Sequence, residues 1–214
     1  MWPWDTSSRR PGRTVRSAAL GLAGILAIPA ALAARVYLTV DEALAQAFPG
    51  CSVERTTVFL TDAQLARARE LAQEEIESAL VHPYRATCDG RVGGTAYFDS
   101  HRVRTLPETV MVAVDADGRV RRIEVLSFKE PPDYLPRDAW YEQFDGRALD
   151  DDLRIDRAIR PITGATLTAR ATASAVRRLL ALDRILRETP KTDAEPPDGA
   201  KPTDETEAGA PEPP

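Results

Sequence analysis

The chain has 214 residues, 43% of them apolar and 29% charged, with a formal net charge of −5. That length accommodates one medium domain with appendages. The charge is uneven: Arg9, Arg10, Arg13 and Arg16 stand against Asp5 near the start, whereas the tail from Thr189 sets Lys191 and Lys201 against seven acidic residues. Nothing in this balance forms a basic footprint for nucleic acid.

Behind the four arginines, Ser17 to Ala34 carries no charge, contains Pro29 and closes on Ala31-Leu32-Ala33. Basic residues, an apolar run and an A-x-A site are the layout of a secretory signal, and the run is at the lower limit of what spans a bilayer. Residues 1–34 are therefore expected to be either a cleavable signal peptide or a retained membrane anchor. In both cases the domain lies outside the cytoplasmic membrane, in the periplasm, with the basic residues inside.

Thr39 and Glu42 form a capping box that opens a short helix through Phe48, closed by Pro49-Gly50. Val53 to Leu60 is β-branched and reads as a strand. Thr61 and Gln64 make a second capping box, and Leu65, Ala68, Ala72, Ile76 and Leu80 form one stripe, which predicts a helix to about Leu80 ended by His82-Pro83. The pattern then changes to period two. Strands are predicted near Arg85 to Cys88, over Gly94 to Phe98, over Thr109 to Val114 and over Arg119 to Phe128, the last two joined by the turn signal Asp115-Ala116-Asp117-Gly118. Antiparallel strands flanked by helices predict an α+β domain.

Cys51 and Cys88 are the two cysteines. Outside the cytoplasm they are read as one disulfide clamping the start of the domain to its first strands, with two free thiols as the alternative. His82 and His101, one before a proline and one in a loop-like stretch, are read as surface residues, and no metal site is expected. Lys129 to Tyr134 contains two prolines and breaks the strand. Asp138 is read as the cap of a short helix containing Trp140, Tyr141 and Phe144, which reads as core packing or as a neighbour of a bound ring.

The most informative stretch is Thr163-Gly164-Ala165-Thr166-Leu167-Thr168, which follows Arg160-Pro161 and precedes an alanine-rich helix from about Ala169. Pro161 prevents a helix from running through this point. Gly164 and Ala165 leave little bulk around three hydroxyls, and Thr166 or Thr168 is placed to cap the helix. A bare turn at a helix N-terminus suits a phosphate. In the helix itself, Ala175, Leu179, Leu182 and Leu186 share one face, and Arg177, Arg178, Arg184 and Arg187 are read as lying mostly elsewhere. From residue 189 the Pro/Glu/Asp/Thr-rich tail has almost nothing to bury and is read as disordered.

The Thr-Gly-Ala-Thr-Leu-Thr stretch and the Val-Arg-Arg helix after it resemble the flavinylation motif of the FMN-binding domain family, which includes the flavin subunits of the sodium-pumping NADH:quinone reductase and of the Rnf complex. The resemblance covers roughly Tyr37 to Leu186, within a domain of residues 37–188, and includes the segment Ala148 to Ile159 leading into the turn. It implies an extracytoplasmic FMN-carrying electron-transfer protein, a carrier rather than a complete enzyme, in which Thr166 is esterified to FMN by a flavin transferase that uses FAD and magnesium. Thr163, Gly164, Ala165 and Thr168 would bind the cofactor with it, and Glu130 would approach the flavin, with Tyr134, Trp140 and Tyr141 as neighbours. The partners implied are the transferase and a membrane or periplasmic redox protein. The sequence departs from the family at Arg160, where modified members usually carry Asp six positions before the acceptor threonine. Two alternatives follow: a domain of the same fold that holds FMN non-covalently or docks on a membrane redox complex, and an envelope protein without a cofactor.

Overall fold

The computed structural model describes residues 35–188, so the leader read over residues 1–34 and the tail over 189–214 lie outside the described residues. The chain runs as β1 (Arg35–Val36), α1 (Val40–Ala47), β2 (Ser52–Arg55), β3 (Val58–Phe59), α2 (Asp62–Ala72), β4 (Leu80–Val81), β5 (Tyr84–Cys88), β6 (Arg91–Arg102), β7 (Pro107–Val114) and β8 (Val120–Phe128). Short helical turns follow, including α3 (Asp138–Tyr141), and the chain closes on α4 (Thr166–Glu188). Six strands form one antiparallel sheet in the order β1-β8-β7-β6-β5-β2, and β3 pairs with β4 in a separate two-stranded ribbon. The α+β expectation of an antiparallel sheet flanked by helices holds for the described residues.

Both sheet faces are covered, because β7 alternates between two apolar sets. Met111 and Ala113 face Ala43, Leu44, Ala47 and Phe48 of the α1 region, whereas Val112 and Val114 face the layer made by α2, α3 and α4. On α4, Val176, Leu179, Leu180 and Ile185 are buried against that second face. Each such side chain contributes about 1.5–3 kcal/mol relative to exposure. This packing fixes α4 along β6 and β7 and so sets where its N-terminus lies.

Both capping boxes form as read, Thr39 with Glu42 and Thr61 with Gln64. The Asp115–Gly118 turn also forms, with Asp115 Oδ1 accepting the N–H groups of Asp117 and Arg119 at 2.9 Å each. Other boundaries differ. The helix predicted to reach Leu80 ends at Ala72, because Gln73 turns left-handed (φ 52°) and the Arg69 guanidinium captures the carbonyl of Ile76 at 2.6 and 3.0 Å. Ile76 is buried beyond the helix, and Leu80 lies in a strand. The single strand read over Val53 to Leu60 is two, since the chain leaves β5 after Arg55 and joins β4 at Val58. Asp138 is the first residue of α3, with Arg137 at its cap. β6 runs on to Arg102, four residues beyond the predicted end at Phe98.

His101 is therefore not a loop-like surface residue. Its side chain is 11% exposed, with Nδ1 2.8 Å from Asp99 Oδ1 and Nε2 3.0 Å from Glu108 Oε2. Arg178 closes the same network on Asp99 at 2.9–3.1 Å, and Thr172 Oγ1 reaches Glu108 Oε2 at 3.3 Å. Arg177 is also buried, 1% exposed, its Nε and Nη1 donating to the carbonyls of Ala72 and Asp150 at 2.8 and 2.6 Å. Ala72 is the last residue of α2, and the negative end of a helix suits a cation.

Cys51 and Cys88 are joined by a disulfide with a Cα–Cα distance of 4.4 Å. It staples β2 to β5 beside the register pair Ser52 and Thr87. Among the described residues no helix is long and apolar enough to cross a membrane.

Candidate functional site

The turn that carries the hydroxyls is placed from two sides. Upstream, Trp140 Nε1 donates to the carbonyl of Arg160 at 2.8 Å and Gln143 Oε1 accepts the Arg160 N–H at 2.9 Å, which fixes the chain just before Pro161. Downstream, Ala169 and Ala173 are buried in the core layer under α4. Between these anchors Gly164 takes φ +87°, a left-handed conformation that most side chains avoid, and a Cβ built there would meet nothing within 4 Å. The glycine is required by the backbone angle and not by crowding.

α4 begins at Thr166, three residues before the predicted start at Ala169. The sequence offers Thr166 or Thr168 as its cap, but both hydroxyls donate to carbonyls. Thr166 Oγ1 donates to Ile162 at 3.2 Å and Thr168 Oγ1 to Tyr134 at 2.6 Å. The Ile162 carbonyl also accepts the Ala165 N–H at 3.4 Å, so it keeps a partner if the Thr166 proton is lost. Thr168 is buried and ties α4 to the Pro132–Tyr134 turn, whereas Thr166 is half-buried.

A cleft of about 180 Å³ opens here, lined by Arg104, Tyr134, Gly164, Ala165, Thr166, Leu167 and Thr168. Of the residues singled out from the sequence, Gly164, Ala165, Thr166, Thr168 and Tyr134 meet in it. Thr163 is exposed on the turn. Trp140 and Tyr141 are core residues, stacked edge to face at 5.1 Å and each 7% exposed, and neither lines the cleft. Glu130 acts at one remove. Its Oε1 accepts the backbone N–H groups of Leu106, Thr105 and Arg104 at 2.8, 2.7 and 3.3 Å, which holds its carboxyl below the usual carboxylate range. It thereby fixes the loop from Val103 to Leu106, which carries Arg104 into the cleft. Arg104 was not singled out in the sequence, because only the fold brings that loop to the start of α4.

Larger cavities of about 1020 and 600 Å³ lie elsewhere, the first beside Asp99, His101 and Arg178, the second beside Tyr37 and Arg122. Neither borders the threonine turn. Pockets that enclose a drug-sized ligand run to about 300–1,000 Å³. The threonine cleft is smaller and accommodates a phosphoryl group with the first part of a polyol chain, not a three-ring system.

Residues 106–181 match the FMN-binding domain family. The chain carries an FMN-binding domain, and FMN is that domain's cofactor. Over 119 residues the chain is also 30% identical to a subunit of the ion-translocating oxidoreductase complex of Stutzerimonas stutzeri, a match covering 50% of this chain and 52% of that protein. The chain thus spans about half the length of that curated relative. The FMN-binding domain contains β7, β8, the Pro132–Tyr134 turn, the threonine turn and most of α4, so every cleft residue except Arg104 lies inside it.

The cleft's chemistry fits the phosphate end of FMN. A hydroxyl, a glycine turn with open space above it, the first residues of a 23-residue helix and one guanidinium converge there. Leu167, exposed, and Tyr134 border the same cleft.

Proposed function

We propose that this protein is an extracytoplasmic electron carrier whose FMN is esterified to Thr166 by a flavin transferase. One observation carries the reading: Thr166 opens α4 at the edge of a cleft sized for a phosphoryl group, within the FMN-binding domain.

In the proposed modification Thr166 Oγ1 attacks the flavin-side phosphorus of FAD, held by the transferase with magnesium. A P–O bond to the threonine forms, the pyrophosphate bond breaks, AMP leaves and the hydroxyl proton is released. The ester can no longer donate to Ile162, whose carbonyl retains the Ala165 N–H. A tether of this kind keeps the cofactor at high effective concentration whatever its redox state.

When bound, the flavin supplies reversible uptake of electrons, and the protein's part is to orient it and tune its environment. A cleft too small to enclose the ring leaves the ring open to a partner's cofactor, which suits transfer of electrons between proteins. The relative that belongs to an ion-translocating oxidoreductase complex supports a membrane redox complex as the partner. The disulfide supports an oxidising compartment.

In-gel fluorescence of the denatured protein, matured in a host with the transferase, tests the reading. Wild type fluoresces and Thr166→Val does not; a dark wild-type band, or an equally bright variant, overturns it.

A further inference from the structure

Arg104 lies two residues before the segment that matches the FMN-binding domain family, so the match assigns it no role. Four observations converge on it. It is the one cation among the residues lining the threonine cleft. No carboxylate pairs with its guanidinium among the described residues, which set ion pairs on nine other arginine and histidine contacts. Its position is nonetheless fixed: Glu130 grips the backbone of its loop through three N–H groups, and the guanidinium carbon sits 5.1 Å from the centroid of the Tyr134 ring. Tyr134 is held in turn, since its carbonyl accepts the Thr168 hydroxyl at 2.6 Å.

An exposed arginine that is positioned but unpaired retains its full donor capacity for a planar anion. The aromatic face orients the guanidinium without neutralising it. We infer that Arg104 binds the phosphoryl group of FMN at Thr166, as a positioning residue that holds the anion against the start of α4. This rests on the proposed attachment at Thr166. The cleft the two residues share, about 180 Å³, is below the size that encloses a ring system, so the part of FMN it takes up is the phosphoryl end, the anion a guanidinium pairs with.

The test uses the full chain, prepared without flavin and incubated with purified flavin transferase, FAD and magnesium, as wild type, Arg104→Lys and Arg104→Gln. Losing a charge-assisted contact slows incorporation about tenfold in R104Q, with R104K between. In the loaded proteins the phosphodiester ³¹P resonance of R104Q moves away from that of wild type, while thermal unfolding is unchanged because Arg104 is exposed. An unmoved resonance overturns the inference even if loading slows, since Arg104 would then serve transferase docking. If wild type takes no covalent flavin, the proposed attachment fails separately. Arg104 is then read by titrating the flavin-free protein with free FMN, where R104Q raises the Kd about tenfold and an unchanged Kd overturns the inference.

Discussion

His101 and Glu108 face each other across β6 and β7, with Nε2 3.0 Å from Oε2, at the base of the loop that projects Arg104 into the cleft. Burial alone would lower the imidazole, but hydrogen bonds to Asp99 and Glu108 and their charges outweigh it and push His101 up to about 9. A group raised in the folded state stabilises most fully below its unfolded value of 6.5, and that contribution is lost as pH rises through about 9. The domain should therefore lose at most about 3 kcal/mol between those values. Urea unfolding at pH 6 and pH 9.5 measures this, and His101→Gln should flatten the dependence. For Asp99, burial opposes ionisation, yet hydrogen bonds from His101 and Arg178 prevail and its carboxyl lies below the usual value. That contribution is present above the unfolded value and disappears in acid.

Arg177 is a buried cation whose recorded partners are main-chain carbonyls, at Ala72, Asp150 and Leu153. Burial lowers its guanidinium from the ordinary value, so the charged form is retained at a cost. Arg177→Met fills similar space but strips those carbonyls of their donors. The expected loss is about 2–4 kcal/mol, read from denaturant midpoints, with flavin attachment intact in the folded fraction. A loss under 0.5 kcal/mol would show that water replaces the guanidinium without penalty.

The Cys51–Cys88 disulfide closes a loop across a sequence separation of 37 residues, at the end of β6 remote from the Arg104 loop. Removing it by the double alanine variant should cost about 3–4 kcal/mol through the unfolded chain's added freedom. Covalent flavin per folded molecule should not change. Loss of attachment at full folding would mean that the staple shapes the cleft.

Gly164 holds φ +87° with free space where a Cβ would stand. Gly164→Ala should therefore cost about 1 kcal/mol from backbone strain alone. Because the turn must relax to relieve that strain, flavin incorporation should fall by more than the small change in melting temperature suggests. Equal incorporation in both proteins would show that the turn's conformation is not what the transferase reads.

Local chemistry made much of this fold legible in advance. The capping boxes at Thr39 and Thr61, the turn at Asp115 and the alternation in β7 each depend on neighbours within a few residues. What stayed hidden depends on distant partners. The apolar stripe through Ile76 and Leu80 kept helical spacing by coincidence after Gln73 had turned the chain. His101 reads as a surface residue and Arg177 as lying off the apolar face of its helix because the groups that satisfy them sit at Asp99, Glu108, Ala72 and Asp150, joined only by the packing of α4 on the sheet and on α2. At the site, the threonine turn was visible as a motif, while the cation beside it was not, because Arg104 arrives on a loop about sixty residues earlier in the sequence.

Covalent attachment at Thr166 is tested most directly by mass spectrometry of the tryptic peptide Ala158–Arg170, in which Pro161 blocks cleavage after Arg160. In protein matured with the transferase, the expected peptide is heavier by FMN less one water, with fragment ions placing the addition on Thr166. An unmodified peptide, or an addition on Thr163 or Thr168, would contradict it.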